Sequence, residues 1–513
     1  MGDETSNRRG VSMDIKRAKE ELKHSLQAYL AKDKYGIYKI PVVRQRPMLL
    51  IGPPGIGKTA IMEQIAQEMK IGFVSYTITH HTRQSAVGLP FIETKIFDGK
   101  EYAVTQYTMS EILVSVQERI QQFGQKEGIL FLDEINCVSE TLAPMMLQFL
   151  QCKTFGNQKL PEGWVIVAAG NPPEYNKSVR DFDIVTLDRV KKMEVEENYE
   201  VWKEYAYKQN LHPAILSYLD IKKENFYRIE TTIDGKQFVT ARGWEDLSAI
   251  LYEYEEMEIT TDEQVIMQYL QHPEIAKDFA NYLILFYKYQ KDYDVGSILA
   301  GENPKSMVEM AKKAPFDERL SMLGLMLSKL REGFYQAFIS DAYVTELFHA
   351  LKQLKQKQES DKTISMIKEL DVLQLGKKQV MERLKESGQL DKDTQAVKYR
   401  VMEALLEIKT FLLETEDSFE QVRMKFSEMT ECREQEIAKA AEALKHAFGF
   451  LEKAFGESQE MVIFLTELTS SYYSMQFISE NGSDEYYKYN KSLLFKDMEQ
   501  DILQEIKQIK QMI

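Results

Sequence analysis

The chain is poor in cysteine: Cys137, Cys152 and Cys432 are the three among 513 residues. So few and so scattered, they exclude a disulfide framework and a paired-cysteine zinc site. No apolar run approaches the roughly 18 residues that a membrane-spanning helix needs. Basic residues are in deficit, 65 Lys and Arg against 80 Asp and Glu, for a formal net charge of −15. That balance disfavours a protein that coats nucleic acid, because a surface tracking phosphates carries a basic excess. The first residues, MGDETSNRRG, are polar and do not form a signal peptide. What remains is an ordinary globular composition, 44% hydrophobic and 28% charged. The length corresponds to roughly three domains of about 150 residues. These features point to an acidic, multi-domain protein of the cytoplasm.

Met1, Gly2 and Ser6 fit a myristoylation pattern, but no polybasic patch supplies the second signal that stable membrane anchoring requires. Residues 1–13 are therefore read as a flexible extension. From Asp14 to Ala31, Ile15, Ala18, Leu22, Leu26 and Tyr29 recur at helical spacing. Short apolar runs at 48–51, 73–78, 128–132, 164–169 and 190–195 read as strands, and helical patterns such as 60–69 and 141–150 separate several of them. Strands alternating with helices predict a mostly parallel sheet covered on both faces over residues 14–198. Two Asp-Gly pairs mark hairpins, Asp98-Gly99 within 91–107 and Asp234-Gly235 within 227–240, and a third excursion spans 154–159. Such hairpins have no place in a parallel ladder and must project from it. Residues 199–300 read as a small helical domain around the second hairpin. Beyond 305 proline is reduced to Pro315 and glycine is sparse, so 305–513 is expected to be an all-α bundle or coiled-coil arm. Phe419, Val422, Phe426 and Met429 fit one heptad seam and Ile437, Ala440, Leu444, Ala447 and Leu451 another, with a slip between them. Cys432 is expected to be a small core residue.

The stretch Gly52-Pro53-Pro54-Gly55-Ile56-Gly57-Lys58-Thr59-Ala60 contains G-x-x-x-x-G-K-[ST] between a predicted strand and a predicted helix. That is the context a phosphate-binding loop requires. Glycines let backbone N–H groups curl around a phosphate, and the helix N-terminus adds its positive dipole end. Lys58 is placed for the β- and γ-phosphates of ATP and Thr59 for Mg²⁺. The run Gly128–Leu132 ends in Asp133 and Glu134. Asp133 would hold Mg²⁺ through water, and Glu134 would polarise the attacking water. His80-His81 offers no second metal-ligand cluster, and Tyr486-Tyr487-Lys488-Tyr489 reads as a partly buried surface rather than a base-stacking platform.

Four motifs in order, Gly52–Thr59, Phe131-Leu132-Asp133-Glu134-Ile135-Asn136, Ala168-Ala169-Gly170-Asn171-Pro172 and Leu187-Asp188-Arg189, resemble the AAA+ ATPases, and within them the MoxR-like branch. The resemblance covers residues 14–300 and implies an α/β P-loop core with inserted hairpins and a helical lid. It implies that Asn171 acts as sensor 1, Arg189 as the arginine finger of the adjacent subunit, and Arg242 in Thr240-Ala241-Arg242-Gly243-Trp244 as sensor 2. The ribbon 91–107 and the excursion 154–159 would line a central channel. The segment between Asn171 and Arg189 is longer and more charged than the family form, so Arg180 rivals Arg189, and Ala241 stands where relatives often carry proline. The family further implies a hexameric ring that remodels or matures client proteins, often with a separate von Willebrand A partner, since this chain has no D-x-S-x-S motif of its own. The alternative within the same fold is a nucleic-acid motor or loader.

Overall fold

The computed structural model describes residues 12–491, apart from 81–83, 85–87, 156–157, 176–178, 180–181, 233–234, 303–304 and 362. The described chain divides into two compact units. One is formed by residues up to Val201 with Thr240–Arg242 and Glu382–Asp391. The other is formed by Trp202–Val239, Gly243–Met381 and the chain from Lys392 onward.

The first unit is built on five parallel strands, β1 (Met48–Ile51), β2 (Gly72–Thr77), β5 (Gly128–Asp133), β8 (Trp164–Gly170) and β9 (Lys191–Glu194), in the order β2-β5-β8-β1-β9. The inner strands β1, β5 and β8 are near-continuous apolar runs because helices cover both faces, while edge strand β2 alternates buried and exposed positions. Gly72 and Gly128 open their strands beneath the buried Trp164 indole, where a Cβ would come within 2.8 and 2.7 Å of the ring. Packing against this sheet are α1 (Ile15–Leu30), α2 (Lys58–Met69), α3 (Glu111–Phe123) and α4 (Ala143–Cys152). Asp14 caps α1 by accepting from the Arg17 amide, and Ala18, Leu22 and Leu26 face inward.

Register decides where the chemistry lies. Ile51 pairs with Gly170, Leu132 with Ala168, and Thr77 with Asp133. The carboxyl ends of β1, β5, β8 and β2 therefore finish along one edge, and the loops that follow them meet there.

The first hairpin, β3 (Pro90–Phe97) and β4 (Lys100–Tyr107), stands outside the sheet as expected. Asp98 at φ 49° and Gly99 at φ 75° give the two left-handed residues of a type I′ turn. The excursion at 154–159 forms a short ladder, β6 (Thr154–Phe155) with β7 (Gln158–Lys159), whose tip lies outside the described residues. In the third hairpin, β10 (Arg228–Thr232) with β11 (Gly235–Val239), Gly235 pairs with Thr232 in the ladder rather than sitting at the turn, and Asp234 lies outside the described residues. The same holds for Gly2, Ser6 and His81.

The second unit is helical apart from the β10–β11 hairpin. Near its start Tyr218, Trp244 and Phe279 form an aromatic cluster with ring centroids 5.2–5.8 Å apart, and Trp244 Nε1 donates to Phe226 O at 3.1 Å. Buried Lys203 is shared between Asp220 and Glu467, both at 2.5 Å, so residues expected in the lid and in the C-terminal domain belong to one polar network. Burial works against the Lys203 charge, but Glu467 and Asp220 outweigh it and hold its pKa above the usual lysine value. From residue 305 the described chain is all helical, dominated by Phe316–Ser360 (45 residues) and Phe419–Phe455 (37 residues). The second of these carries both heptad seams without a break. Cys432 corrects the core expectation: it is exposed, because it lies off the seam whether the phase is counted forward from Met429 or back from Ile437. Tyr486 and Tyr489 are buried and Tyr487 is exposed, a partly buried helical face.

Candidate nucleotide-hydrolysis site

Strand β1 delivers the chain into the loop 52–57, and α2 begins at Lys58. Two glycines of this loop are dictated by backbone geometry. A Cβ on Gly52 would lie 2.5 Å from Val195 O, and Gly57 caps α2 at φ 91° with open space around it. The open concavity and the unpaired first-turn N–H groups of a helix are what a phosphate needs. Lys58 is buried and donates from Nζ to Gly52 O (2.8 Å), Pro53 O (2.7 Å) and Asn171 Oδ1 (2.9 Å). Burial pushes its pKa down to about 8; Asp133 opposes that shift and Arg242 adds to it. Lysine chemistry here is thus poised to gain from an incoming anion.

Strand β5 supplies the acidic pair. Thr59 Oγ1 donates to Asp133 Oδ2 at 3.2 Å, which joins the residues expected to hold Mg²⁺. Asp133 Oδ1 accepts from the Glu134 amide at 2.9 Å, and Glu134 takes φ 55°, a left-handed value uncommon outside glycine. That bend turns the Glu134 carboxylate toward the turn after β2, where Thr79 Oγ1 donates to Glu134 Oε2 at 2.7 Å. Asn171 follows β8 and is held by its own support: Asn136 Nδ2 donates to Asn171 O at 2.8 Å. Gly170 is required beside it, since a Cβ there would lie 2.4 Å from Asn136 Oδ1.

Lys58, Thr59, Asp133, Glu134 and Asn171 are thus brought together, with Ile56, Pro54, Gly55 and Ala60 framing the loop and the start of α2. Arg242, exposed at the start of the helix Ala241–Glu256, is near enough for its charge to act on Lys58. Arg189 is different. It follows the short helix Ile184–Leu187 and is exposed. Its Nη1 donates to Gln151 Oε1 on α4. Arg180 lies outside the described residues. Three supporting residues had no role in the sequence reading: Thr79, Asn136 and Gln151. Thr79 could have been sought from the strand order, because it lies just beyond the end of β2, the neighbour of β5. Asn136 stood in the quoted motif, but only the fold brings it to Asn171. Nothing in the sequence marks Gln151.

Residues 48–187 match the family model described as ATPase family associated with various cellular activities (AAA). This segment is an AAA ATPase domain. The match includes the phosphate loop, Asp133, Glu134 and Asn171, and stops short of Arg189 and Arg242. Among solved structures, an ATPase, provisionally so described, from Cytophaga hutchinsonii aligns at 19% identity over 36% of this chain and 52% of its own, with a TM-score of 0.22. PCH-2 of C. elegans aligns at 13% identity over 41% of this chain and 48% of its own, with a TM-score of 0.23. The alignments span about half of each of those proteins, and likeness at that level carries no argument about function. No curated protein matches the chain. Among the described residues no helix is long and apolar enough to cross a membrane, and no group of three or more His, Cys, Asp or Glu is placed to hold a metal ion.

Proposed function

We propose that this chain hydrolyses ATP as a hexameric ring of MoxR-like type and uses the cycle to remodel or mature client proteins, in company with a separate von Willebrand A protein. The observation that carries the reading is the separation of two sets of groups. Lys58, Thr59, Asp133, Glu134 and Asn171 gather at one sheet edge, while Arg189 is exposed and bonded to Gln151 on α4. A site that gathers its phosphate ligands but leaves an arginine outside is suited to completion by a neighbouring copy.

Within that reading the loop amides and Lys58 bind the β- and γ-phosphates, and Lys58 takes up or keeps its proton against them. Thr59 and Asp133, already within hydrogen-bonding distance, fit Mg²⁺, which keeps several waters and takes few protein ligands. When bound, that ion supplies charge stabilisation at the phosphoryl oxygens. Asn171 orients the attacking water, Glu134 receives its proton, and Arg189 of the next copy stabilises the transition-state charge. Arg242 reports the phosphates to the lid.

Protein rather than nucleic acid as the client is supported by the β3–β4 ribbon, whose Phe91, Ile92, Ile96, Phe97 and Tyr102 are exposed, and by the net charge of −15. Arg189→Ala is expected to bind ATP normally and to lose turnover by roughly 10³-fold or more. Mixing it with Lys58→Ala protein should restore part of the activity, because each variant keeps the half-site the other lacks. Wild-type turnover by Arg189→Ala would remove the finger from this residue. Salt-sensitive binding of DNA by the assembled protein would favour the motor reading instead.

A further inference from the structure

The helix Lys392–Glu414 in the second unit carries a surface for which nucleotide chemistry has no use. One face is spoken for: Val401, Ala404, Leu405, Ile408 and Leu412 are buried in a cluster with Leu347, Leu351 and Leu354 of the helix Phe316–Ser360. A surface helix packed on one side is expected to be polar on the other. Here it is not. Tyr399 is 47% exposed, Leu406 51% and Leu413 65%.

These three residues are spaced seven apart. Half-buried Met402 and Lys409 fall between them, so 399, 402, 406, 409 and 413 alternate as the a and d positions of a heptad. A straight α-helix drifts by about 20° per heptad, so a strict seven-residue repeat forms one usable stripe only against a helix that coils alongside. The stripe is about 21 Å long at 1.5 Å per residue, matching about four turns of a partner helix.

The helix Met366–Glu386 widens this surface. Asp371 of that helix accepts from Lys409 Nζ at 2.6 Å, and Lys377 and Lys398 reach the same Glu346 oxygen at 2.5 and 2.8 Å. One tie is direct and the other runs through Glu346 of the helix Phe316–Ser360; exposed Val372 and Leu375 lie one and four residues beyond Asp371. Charge then distinguishes one kind of partner from another. Glu403, Glu407 and Glu414 are exposed along the outer edge of the stripe; the nearby cations are Arg400, 3.0 Å from Glu403, and Lys425, whose charge acts with Glu407 but which is paired with Glu428 at 2.8 Å. Lys398 and Lys409, which could offset them, are held by Glu346 and Asp371.

We propose that this stripe docks an amphipathic helix of a partner protein, with an apolar ridge along Tyr399, Leu406 and Leu413 and a basic edge against Glu403, Glu407 and Glu414. The mode is a helix laid along an apolar groove, where apolar anchors give affinity and edge charges give selectivity. It does not depend on the hydrolysis mechanism.

The test uses the full chain and two synthetic 21-residue helical peptides with the same leucine seam, one flanked by lysine and one by glutamate. Fluorescence anisotropy should show the lysine-flanked peptide binding at least tenfold more tightly. Leu406→Asp with Leu413→Asp should weaken that peptide at least tenfold. Glu403→Lys with Glu407→Lys and Glu414→Lys should reverse the preference between the two peptides. Circular dichroism and ATP turnover should stay at wild-type values, since all five positions are exposed. If the leucine variant does not fold, the charge-reversed variant decides alone. Absence of binding, or equal binding of both peptides by all proteins, overturns the proposal. So does a fall in the sedimenting mass of the chain on Leu406→Asp and Leu413→Asp, which would make the stripe a contact between copies.

Discussion

The phosphate-binding domain and the helical unit hold together for different reasons. In the first, segments up to 113 residues apart bring polar side chains to a single sheet edge, and Lys58 Nζ joins Gly52, Pro53 and Asn171 within 3 Å. Neither the charge nor the length of that side chain can change without losing the arrangement. In the second, leucines, methionines and phenylalanines pack along whole helices, and a core of this kind accepts volume-conserving exchange at small cost. Local chemistry thus fixes residue identity in one region, and distributed packing fixes only residue class in the other. One buried ionic network, Lys203 with Asp220 and Glu467, breaks that pattern inside the helical unit.

The sharpest test of the contrast separates activity from stability. Glu134→Gln removes the group placed to take a proton while preserving shape and the bond from Thr79. Turnover should fall by about 10³-fold, equivalent to roughly 4 kcal/mol of barrier, with ATP binding and thermal midpoint unchanged. Undiminished turnover would remove Glu134 as the base. Glu467→Ala is expected to do the reverse. It leaves buried Lys203 with Asp220 alone, so stability should fall by about 3 kcal/mol, the lower end for breaking a buried pair, while turnover per folded molecule is retained. Denaturant unfolding checks it. A loss below about 1 kcal/mol would mean that the network is no firmer than a surface pair and that the helical unit has no exception to its packing rule.

A smaller effect concerns pH. Burial depresses the Lys58 pKa to about 8, against 10.5 for an ordinary lysine. Below pH 8 the lysine is charged in both folded and unfolded chains, and the folded state bears the cost of burying that charge. As pH rises from 8 toward 10.5 the folded lysine turns neutral, so its contribution to stability improves. Phosphate binding has the opposite sign, because it needs the charged form. ATP affinity should therefore fall up to tenfold between pH 8 and 9, with proton uptake on binding at pH 8.5 measurable by calorimetry in buffers of different ionisation enthalpy. A flat affinity over that range would place the free-enzyme pKa well above 8.

The sequence pattern marks the strands, the first hairpin, the phosphate loop and the acidic pair, because each is written in consecutive residues. Gly52–Thr59 needs its glycines for backbone reasons and its lysine for charge, so motif and geometry coincide. The partners of these groups are less visible. Thr79 meets Glu134 only because β2 pairs with β5, and Asn136 meets Asn171 only because β5 pairs with β8. The heptads locate the helix Phe419–Phe455, but they do not say what covers a position off both seams, and Cys432, of a residue type often buried, is exposed there. The stripe Tyr399–Leu406–Leu413 is likewise ambiguous in sequence. The helix has enough apolar residues for two faces, and the fold decides which is covered.

The smallest expected effect lies where a pairing hidden from sequence touches the chemistry. Thr79 Oγ1 donates to Glu134 Oε2 at 2.7 Å, and that bond occupies a carboxylate lone pair that could otherwise accept the proton of the attacking water. Thr79→Val keeps the branched shape and removes that donor. If Thr79 restrains the base, turnover should rise about threefold to tenfold, corresponding to roughly 1 kcal/mol for one hydrogen bond. Thr79→Ser, which keeps a hydroxyl, should stay near the wild-type rate. If instead the hydroxyl aims the carboxylate at the water, Thr79→Val loses activity while Thr79→Ser again keeps it. The sign of the change thus tells whether this contact holds Glu134 back or holds it ready. A rate unaltered in both variants would confine the chemistry to the residues written in the motifs.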